Sequence, residues 1–168
     1  ITGEAWLGDF RFQVDPRVII PRSYFAELLQ DGFSPWIQDP EAVSLAMDMC
    51  TGSGCLAILM AHAFPNAHIV AVDISEDALD VARANIADYG LEDRITLVLS
   101  DGFKAVPEQA FDFILSNPPY VTREAMEALP PEYLHEPGLA LGSGEDGLDL
   151  VRKLLADASR YLKPEGIR

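Results

Sequence analysis

The 168-residue sequence predicts an α/β fold, in which a mainly parallel sheet is covered by helices on both faces. Two observations support this prediction. Short apolar runs alternate with amphipathic stretches along residues 43–168. Each of the four complete apolar runs also ends in polar or glycine-rich residues, as strands do at the ligand-binding edge of such a sheet. We therefore expect a Rossmann-like, doubly wound domain over residues 43–168, preceded by a smaller N-terminal segment.

Residues 1–42 are predicted to form an antiparallel hairpin, a short helix and a linker. Apolar residues at strand-like spacing flank Gly8-Asp9, a pair that suits a two-residue hairpin turn. Ser23 is placed to cap a helix that runs to about Leu29. Glycine and proline residues between 31 and 42 then predict a loop that crosses to the main domain.

The alternating part of the chain contains four complete predicted strands and the beginning of a fifth. After the long helix that ends this series, residues 163–166 are predicted to turn into the fifth strand, which is cut off at Arg168. In order, the predicted elements are a strand at 43–49, a helix at 55–64, a strand at 68–73, a helix from 76 to about 90 capped by Ser75, strands at 95–99 and 111–115, and an amphipathic helix at 148–162.

Composition limits the classes of partner. A chain of this length suits one globular domain. Its net charge of −15, from 27 acidic and 12 basic residues, favours a basic protein or a small molecule over nucleic acid. Cys50 and Cys55 show neither a disulfide nor a zinc pattern, so we expect buried thiols in a reducing cytosol and no metal site. No apolar run predicts a membrane helix and no leader is visible, so a cytoplasmic location is expected.

Three acidic residues mark the ends of successive predicted strands. Asp48 closes the first strand, Asp73 closes the second and Asp101 follows the third. Asp73 can accept hydrogen bonds from both hydroxyls of a ribose, and Asp101 can accept one from an exocyclic amine. Together the three predict a pocket for a ligand with an amino group, a ribose and a base. Adenosylmethionine carries all three groups.

The loop after the first strand is rich in glycine. Gly52 and Gly54 let the backbone approach a ligand closely, although such turns also occur for packing alone. With Ala57 they fit the dinucleotide pattern G-x-G-x-x-A, so a nicotinamide-dependent oxidoreductase is an alternative. Its pyrophosphate would need a basic cradle, which the sequence does not offer. Ile74, beside Asp73, could lie against an adenine face.

The segment Asn117-Pro118-Pro119-Tyr120 follows the fourth strand and carries the predicted chemistry. Its prolines have φ fixed near −65°, so Asn117 stands on stiff backbone. If the Asn117 side-chain oxygen and the Pro118 carbonyl each accept one N–H of an incoming NH2, they hold its lone pair toward a methyl donor. Tyr120 would cover the planar group. An adenine amine would fit equally well, and a plain turn is the simplest alternative.

With these motifs the sequence resembles class I adenosylmethionine-dependent methyltransferases, in the branch that methylates glutamine side chains of translation proteins. The resemblance implies the class I methyltransferase fold with an N-terminal β-hairpin, and adenosylmethionine bound by residues 43–168. The segments that carry it are Asp48 to Cys55, Ala71 to Ser75, Asn117 to Val121, His135-Glu136-Pro137 and Asp146-Gly147-Leu148.

The family pattern also implies roles for particular residues. Asp48, Cys50, Thr51, Gly52 and Gly54 would surround the methionine end of the cofactor, and Asp73 would hold the ribose. Relatives often carry a larger residue at Gly102, so the adenine flanked by Asp101 and Gly102 would pack mainly on Phe103 and Ile74. Asn117, Pro118, Pro119 and Tyr120 would hold the glutamine, and Asn117 would also contact the cofactor.

Within the branch, the stretch 20–28 resembles the members that act on a large-subunit ribosomal protein more than those that act on release factors. A basic ribosomal protein also agrees with the acidic net charge. The alternatives are a release-factor glutamine methyltransferase, an adenine amino-methyltransferase on DNA or RNA, an NAD-dependent oxidoreductase, and a cofactor-binding module without catalytic activity.

Overall fold

The structure is a computed structural model that describes residues 3–122, 124 and 145–167. Its centre is a five-stranded parallel sheet, beside a two-stranded antiparallel hairpin. The elements in chain order are β1 (Glu4–Leu7), β2 (Phe10–Gln13), α1 (Phe25–Gln30), a 3-10 turn (Pro40–Ala42), β3 (Leu45–Met49), α2 (Cys55–Ala63), β4 (His68–Asp73), α3 (Glu76–Asp88), β5 (Ile95–Leu99), β6 (Phe111–Ser116), α4 (Asp149–Ala158) and β7 (Leu162–Ile167).

The predicted doubly wound α/β fold and N-terminal hairpin are both confirmed. The sheet has the order β5-β4-β3-β6-β7, so the chain first moves outward from β3 in one direction and later in the other. Such a reversal opens a crevice at the carboxyl ends of the central strands, where ligands of α/β sheets bind. The glycine-rich loop follows β3 and Asn117 follows β6. Both motifs therefore leave the sheet at this crevice.

The central strands are apolar because both faces of the sheet are covered. Along β3, Ala46 packs in a cluster with α2, whereas Met47 and Met49 pack in a second cluster with α4. Along β4, Ile69 and Val70 divide between the same two clusters. Successive side chains of a strand point to opposite faces, which explains this alternation. The sheet is therefore buried between α2 and α4.

The N-terminal segment shares the core of the main sheet. Phe12, Leu29 and Phe33 belong to the same buried cluster as α2, and Phe12 is fully buried. Burying a side chain of this size contributes about 1.5 to 3 kcal/mol. The hairpin and α1 are therefore packed into the apolar cluster on one face of the sheet.

The two predicted helix caps differ in outcome. The Ser75 hydroxyl accepts a hydrogen bond from the Ala78 amide at 3.2 Å and caps α3, as predicted. The Ser23 hydroxyl accepts one from the Phe25 amide at 3.2 Å, but Tyr24 occupies the capping position of α1. Ser23 therefore stabilises the turn before the helix.

The predicted end of the C-terminal helix is wrong. α4 stops at Ala158, and Leu162 begins β7, which also contains the predicted turn at 163–166. The amide of Phe111 donates to the Tyr161 carbonyl at 2.8 Å, which draws the following residues onto the edge of β6. The pairing register of β6 and β7 shifts between Phe111 and Phe113, so the turn residues are accommodated within β7. Pairing with a distant strand thus outweighs the local helical pattern.

Asp112, on β6, ties together the beginnings of three neighbouring strands. One carboxylate oxygen accepts from the amides of Ser44 and Leu45 at 2.9 and 3.0 Å, and the other accepts from Lys163 Nζ at 2.5 Å. Burial raises the pKa of Asp112, but these hydrogen bonds outweigh it and hold the pKa below the usual 3.8.

We expect Asp112→Asn to lower the free energy of unfolding by about 1 to 3 kcal/mol at neutral pH, because charged hydrogen bonds between strands are lost. The contribution of the carboxylate should be complete above pH 3.8 and disappear as the pH falls through the lower pKa of the folded state. Urea unfolding of both proteins between neutral pH and about pH 2 measures this window. A difference in unfolding free energy that persists at about pH 2 would contradict the prediction. The control is Glu165→Gln, which removes the charge of an exposed carboxylate on β7 and should show no such pH window.

Candidate functional site

A cavity of about 210 Å³ lies at the carboxyl ends of four neighbouring strands, β5, β4, β3 and β6. Strands lie about 4.8 Å apart, so these ends span about 14 Å, the length of an extended nucleoside with a substituent. The wall consists of Arg17, Val18, Ile19, Met49, Cys50, Gly52, Asp73, Ile74, Ser75, Ala78, Ser100, Asp101, Gly102, Asn117, Pro119 and Leu150.

The cavity brings together eight of the residues that the sequence singled out. They come from all four strand ends. Of the three acids that predicted a pocket, Asp73 and Asp101 line the cavity and Asp48 does not. The eight are Cys50, Gly52, Asp73, Ile74, Asp101, Gly102, Asn117 and Pro119.

Six further residues that the sequence singled out do not line this cavity: Asp48, Thr51, Gly54, Phe103, Pro118 and Tyr120.

The two glycines of the loop after β3 serve different purposes. Gly52 has φ +55°, and no atom lies within 4 Å of the position that a Cβ would take. Gly54 has φ +78°, and its Cβ would lie 3.1 Å from Ala82 Cβ on α3. Close packing therefore explains Gly54, whereas the space beside Gly52 on the cavity wall is open.

Asp73 joins this loop to the beginning of α3. Its Oδ2 accepts from the Gly52 amide at 2.8 Å, and its Oδ1 accepts from the Ser75 amide at 3.0 Å. Each carboxylate oxygen can accept more than one hydrogen bond. Asp73 can therefore hold the loop in place and still accept a hydroxyl of a ligand in the cavity.

Asp48 lies beneath the loop and is fully buried. Its Oδ2 accepts from the Thr51 hydroxyl at 2.6 Å, while its Oδ1 has no hydrogen-bond partner among the described residues. Burial raises the pKa of Asp48 to about 7, and the bond from Thr51 opposes this rise only in part. A cation bound above the loop would favour the ionised carboxylate.

The cysteines of this region are not nucleophiles. Cys50 and Cys55 are both free, and burial raises the pKa of each thiol to about 12. A thiol with such a pKa stays protonated at neutral pH, and only the thiolate is reactive. The two residues act as small uncharged side chains, as expected, but they are half-buried rather than fully buried.

The segment 117–120 stands directly beside the glycine-rich loop. The Ser116 hydroxyl donates to the Met49 carbonyl at 2.8 Å, which fixes the end of β6 against the end of β3. Asn117 and Pro119 face the cavity, and Pro118 lines an adjacent apolar groove. The Tyr120 side chain is 65% exposed. Two residues of this segment, Asn117 and Pro119, therefore belong to the cavity wall.

Gly147 holds the far end of this segment in place. Its φ is +76°, and a Cβ would lie 2.2 Å from the Tyr120 carbonyl oxygen. Only glycine permits this close approach. The sequence singled out Asp146-Gly147-Leu148 as a family signature, and the contact with Tyr120 now supplies a physical reason. His135-Glu136-Pro137 lies outside the described residues.

The three residues after β5 that were predicted to lie near the adenine have separate environments. Asp101 lines the cavity, where the bond from Lys104 holds the pKa of its carboxyl below the usual value. Phe103 is buried and stacks on Tyr161 at a centroid distance of 4.4 Å. Phe103 therefore packs into the protein core, and Gly102 stands on the cavity wall instead.

Sequence reasoning missed one wall of the cavity. Arg17, Val18 and Ile19 come from the segment after the hairpin, and Val18 packs in a cluster that contains Ala78 of α3. The apolar run 18–20 was visible as a short extended stretch, but nothing local placed it beside the strand ends.

The charge of the wall favours a cationic ligand. Asp73 and Asp101 line the cavity, and Arg17 is the one cationic side chain among its described lining residues. Arg17 is already paired with Asp15 at 2.6 Å. Two carboxylates would repel a pyrophosphate, and few cationic side chains would offset that repulsion. The same carboxylates attract positive groups such as the sulfonium and ammonium of adenosylmethionine.

Two further findings concern the described residues only. They contain no group of three or more His, Cys, Asp or Glu side chains that could hold a metal ion. None of their helices combines the length and the apolar character needed to cross a membrane.

The sheet order, the flanking helices and the strand-end cavity define a class I methyltransferase fold. The catalytic domain of hMettl16, solved with the MAT2A 3'UTR hairpin 6, has a TM-score of 0.67 and 17% identity over 94% of this chain and 58% of that one. Identity at this level concerns the fold alone. Residues 37–144 match the family model of the Methyltransferase small domain, and the chain belongs to that family.

Curated relatives cover nearly all of the chain. The ribosomal protein uL3 glutamine methyltransferase of Bordetella pertussis (strain Tohama I) is 59% identical over 99% of this chain and 56% of its own length. The protein of the same name from Neisseria meningitidis serogroup A is 58% identical over 99% of this chain and 55% of its own length. The chain thus spans about half the length of these relatives. The expected resemblance to the glutamine methyltransferases is confirmed.

We expect the stability of the protein to depend on the charge of Asp48. The carboxyl has a pKa of about 7 in the folded state against the usual 3.8, so its contribution is complete below pH 3.8 and is lost as the pH rises through 7. Asp48→Asn has no charge to bury. Its free energy of unfolding should therefore rise relative to that of the wild type by roughly 1 to 4 kcal/mol between these limits. Urea unfolding across this range measures the difference; a constant difference would contradict the prediction.

Gly147→Ala should displace Tyr120, because the new methyl group would overlap the Tyr120 carbonyl. Gly90→Ala is the matched control, since Gly90 also has a positive φ of +63° but has no atom within 4 Å of its Cβ position. The control should lose about 1 to 2 kcal/mol of unfolding free energy through backbone strain alone. Gly147→Ala should lose more and should shift the backbone amide resonances of Asn117, Tyr120 and Val121, since the two prolines between them have no N–H. Unchanged resonances at this segment would refute the contact.

Proposed function

We propose that the chain is the cofactor-binding and catalytic part of an enzyme that methylates a glutamine side-chain amide on the large-subunit ribosomal protein uL3, with adenosylmethionine as the methyl donor. The observation that carries this proposal is the position of Asn117 and Pro119 on the cavity that Gly52, Asp73 and Asp101 also line. The substrate class is supported by the names of relatives that are 58 to 59% identical over nearly the whole chain.

The strand ends would hold the donor in an extended form across the crevice. Asp73 would accept hydroxyl groups of the ribose, and exposed Ile74 would pack on one face of the adenine. Asp101 would accept a hydrogen bond from the adenine amine. The loop of Cys50, Thr51 and Gly52 would surround the methionine end, with the charge of Asp48 beneath it. When bound, adenosylmethionine supplies an electrophilic methyl group on a positively charged sulfur.

The chain's own task is then to orient a poor nucleophile. The lone pair of an amide nitrogen is delocalised, so the nitrogen must be held at attack distance and its developing positive charge must be stabilised. Asn117 Oδ1 and the Pro118 carbonyl would each accept one N–H of the glutamine amide. Because the prolines fix φ, these two acceptors need little reorganisation. Tyr120 would cover the amide plane from the solvent side.

Charge and compartment agree with a ribosomal substrate. The net charge of −15 attracts basic proteins and repels nucleic acid, so we do not propose direct binding to nucleic acid. A ribosomal protein encountered before or during ribosome assembly implies a cytoplasmic enzyme. The protonated, free thiols of Cys50 and Cys55 fit the reducing conditions of that compartment.

The decisive variant is Asn117→Ala in the full-length protein. We expect the rate of labelled methyl transfer from adenosylmethionine to hypomethylated uL3 to fall by about 100-fold or more, since one preorganised acceptor is lost. The Kd of adenosylmethionine, measured by calorimetry, should change less than about threefold, because the donor relies mainly on the other strand ends.

The control is Asn66→Ala, which removes an exposed asparagine that donates to the Glu41 carbonyl, away from the cavity. It should leave both transfer and affinity unchanged. Transfer by Asn117→Ala at the wild-type rate would refute the proposed amide clamp.

An adenine amino-methyltransferase is the second candidate, because the same two acceptors fit an adenine amine. Transfer to DNA or RNA with a steep loss of substrate affinity in salt would favour it. Transfer to a release factor in preference to uL3 would instead change only the substrate. A rise in melting temperature with NAD but not with adenosylmethionine would favour an oxidoreductase. Binding of adenosylmethionine without transfer to any of these substrates would favour a non-catalytic module.

A further inference from the structure

Helix α3 carries a fully buried polar side chain that has no part in the proposed reaction. Asn85 is 0% exposed. Its Oδ1 accepts from the Gln13 amide at 2.7 Å, and its Nδ2 donates to the Gln13 carbonyl at 3.0 Å and to the Ser53 carbonyl at 2.9 Å. Both donors of the amide group are therefore used. The side chain joins the end of β2 to the glycine-rich loop.

Each partner of Asn85 leads directly into a wall of the cavity. Ser53 lies between Gly52, which lines the cavity, and Gly54, which packs on α3. Gln13 is the last residue of β2, and the chain continues from there into the wall formed by residues 17–19. The distance between these two walls therefore depends on Asn85, which binds both segments.

One face of α3 supports both segments. Residues three and four positions apart lie on the same face of a helix. Ala78 contributes to the cavity wall and packs in a cluster with Val18, Ala82 meets Gly54, and Asn85 binds Gln13 and Ser53. Small residues at 78 and 82 let both segments approach the helix, and Asn85 sets their register by directional hydrogen bonds.

We propose that Asn85 is a positioning residue that fixes the spacing of the glycine-rich loop and the 17–19 wall, and thereby controls the affinity for the cofactor. This inference rests on the proposed function in that the ligand is adenosylmethionine. Loss of Asn85 leaves the part-buried amide and carbonyl of Gln13 and the buried carbonyl of Ser53 without their partner, so both segments would shift to reach water or other polar groups. Asn85 itself does not touch the ligand cavity.

Tyr89, which follows α3, offers a matched comparison. Its hydroxyl accepts from the Arg11 amide and donates to the Arg11 carbonyl, both at 2.9 Å. This side chain therefore ties the same strand to the same helix, but it does not reach the glycine-rich loop. Tyr89→Phe removes a link of the hairpin and leaves the link between the two cavity walls intact.

The experiment compares full-length wild type, Asn85→Ala, Asn85→Asp and Tyr89→Phe at a temperature well below the lowest melting temperature. Calorimetry with adenosylmethionine should show a Kd at least tenfold higher for both Asn85 variants and less than threefold higher for Tyr89→Phe. The KM for adenosylmethionine should rise likewise, with the KM for uL3 unchanged. A merely structural role predicts lower melting temperatures with equal Kd values in all four proteins, which would overturn the inference.

Hydrogen exchange in the wild type tests the same coupling without a substitution. Coupling between sites is reciprocal, so bound adenosylmethionine should slow exchange of the Gln13 amide at least tenfold. The exchange rate of the Arg11 amide, which donates to the Tyr89 hydroxyl, should change less than threefold. An unchanged Gln13 amide in the presence of bound ligand would overturn the inference alone, whereas failure of the wild type to bind adenosylmethionine would overturn the proposed function.

Discussion

The carboxylate of Asp73 is the contact on which the site depends. It accepts backbone amides from Gly52 on one side and Ser75 on the other, so the loop after β3 and the first turn of α3 hold a common position. Amide donors at the start of a helix favour a negative charge. The same carboxylate faces the cavity, where a ribose hydroxyl would find a preorganised acceptor. One side chain thus combines the folding of the loop with the binding of the proposed ligand.

The acids near the cavity occupy different environments. Asp73 is satisfied by backbone amides. Asp48 is fully buried, which raises its pKa to about 7, and one of its oxygens has no hydrogen-bond partner among the described residues. An unpaired buried charge is costly until a cation lies nearby. A cationic methyl donor would supply that charge. The charges around the cavity therefore agree with the proposed cationic methyl donor, and the net charge of −15 agrees with the proposed basic protein substrate.

The N-terminal segment packs against the sheet and contributes to the cavity, although its sequence pattern differs from the alternating strands and helices of residues 43–168. Phe12 lies in the core on one face of the sheet, and residues 17–19 form a wall of the cavity. Asn85 joins the hairpin to the glycine-rich loop. The 1–42 and 43–168 segments therefore share both a core and a candidate site. Changes in the hairpin should therefore alter the shape of the cavity, because a packed interior transmits small displacements.

Local pattern determined much of this protein. Apolar runs with polar ends predicted the bounds of β4 and β5 correctly and brought Gly52, Asp73 and Asn117 to one edge, because parallel strands end at the same side of a sheet. Tertiary structure alone decided the rest. Asn85 binds Gln13, which is 72 residues away in the sequence. β7 pairs with β6, although a helix and a long connection separate the two strands in the chain. Such partners are determined by packing in three dimensions, which cannot be inferred from a local sequence pattern.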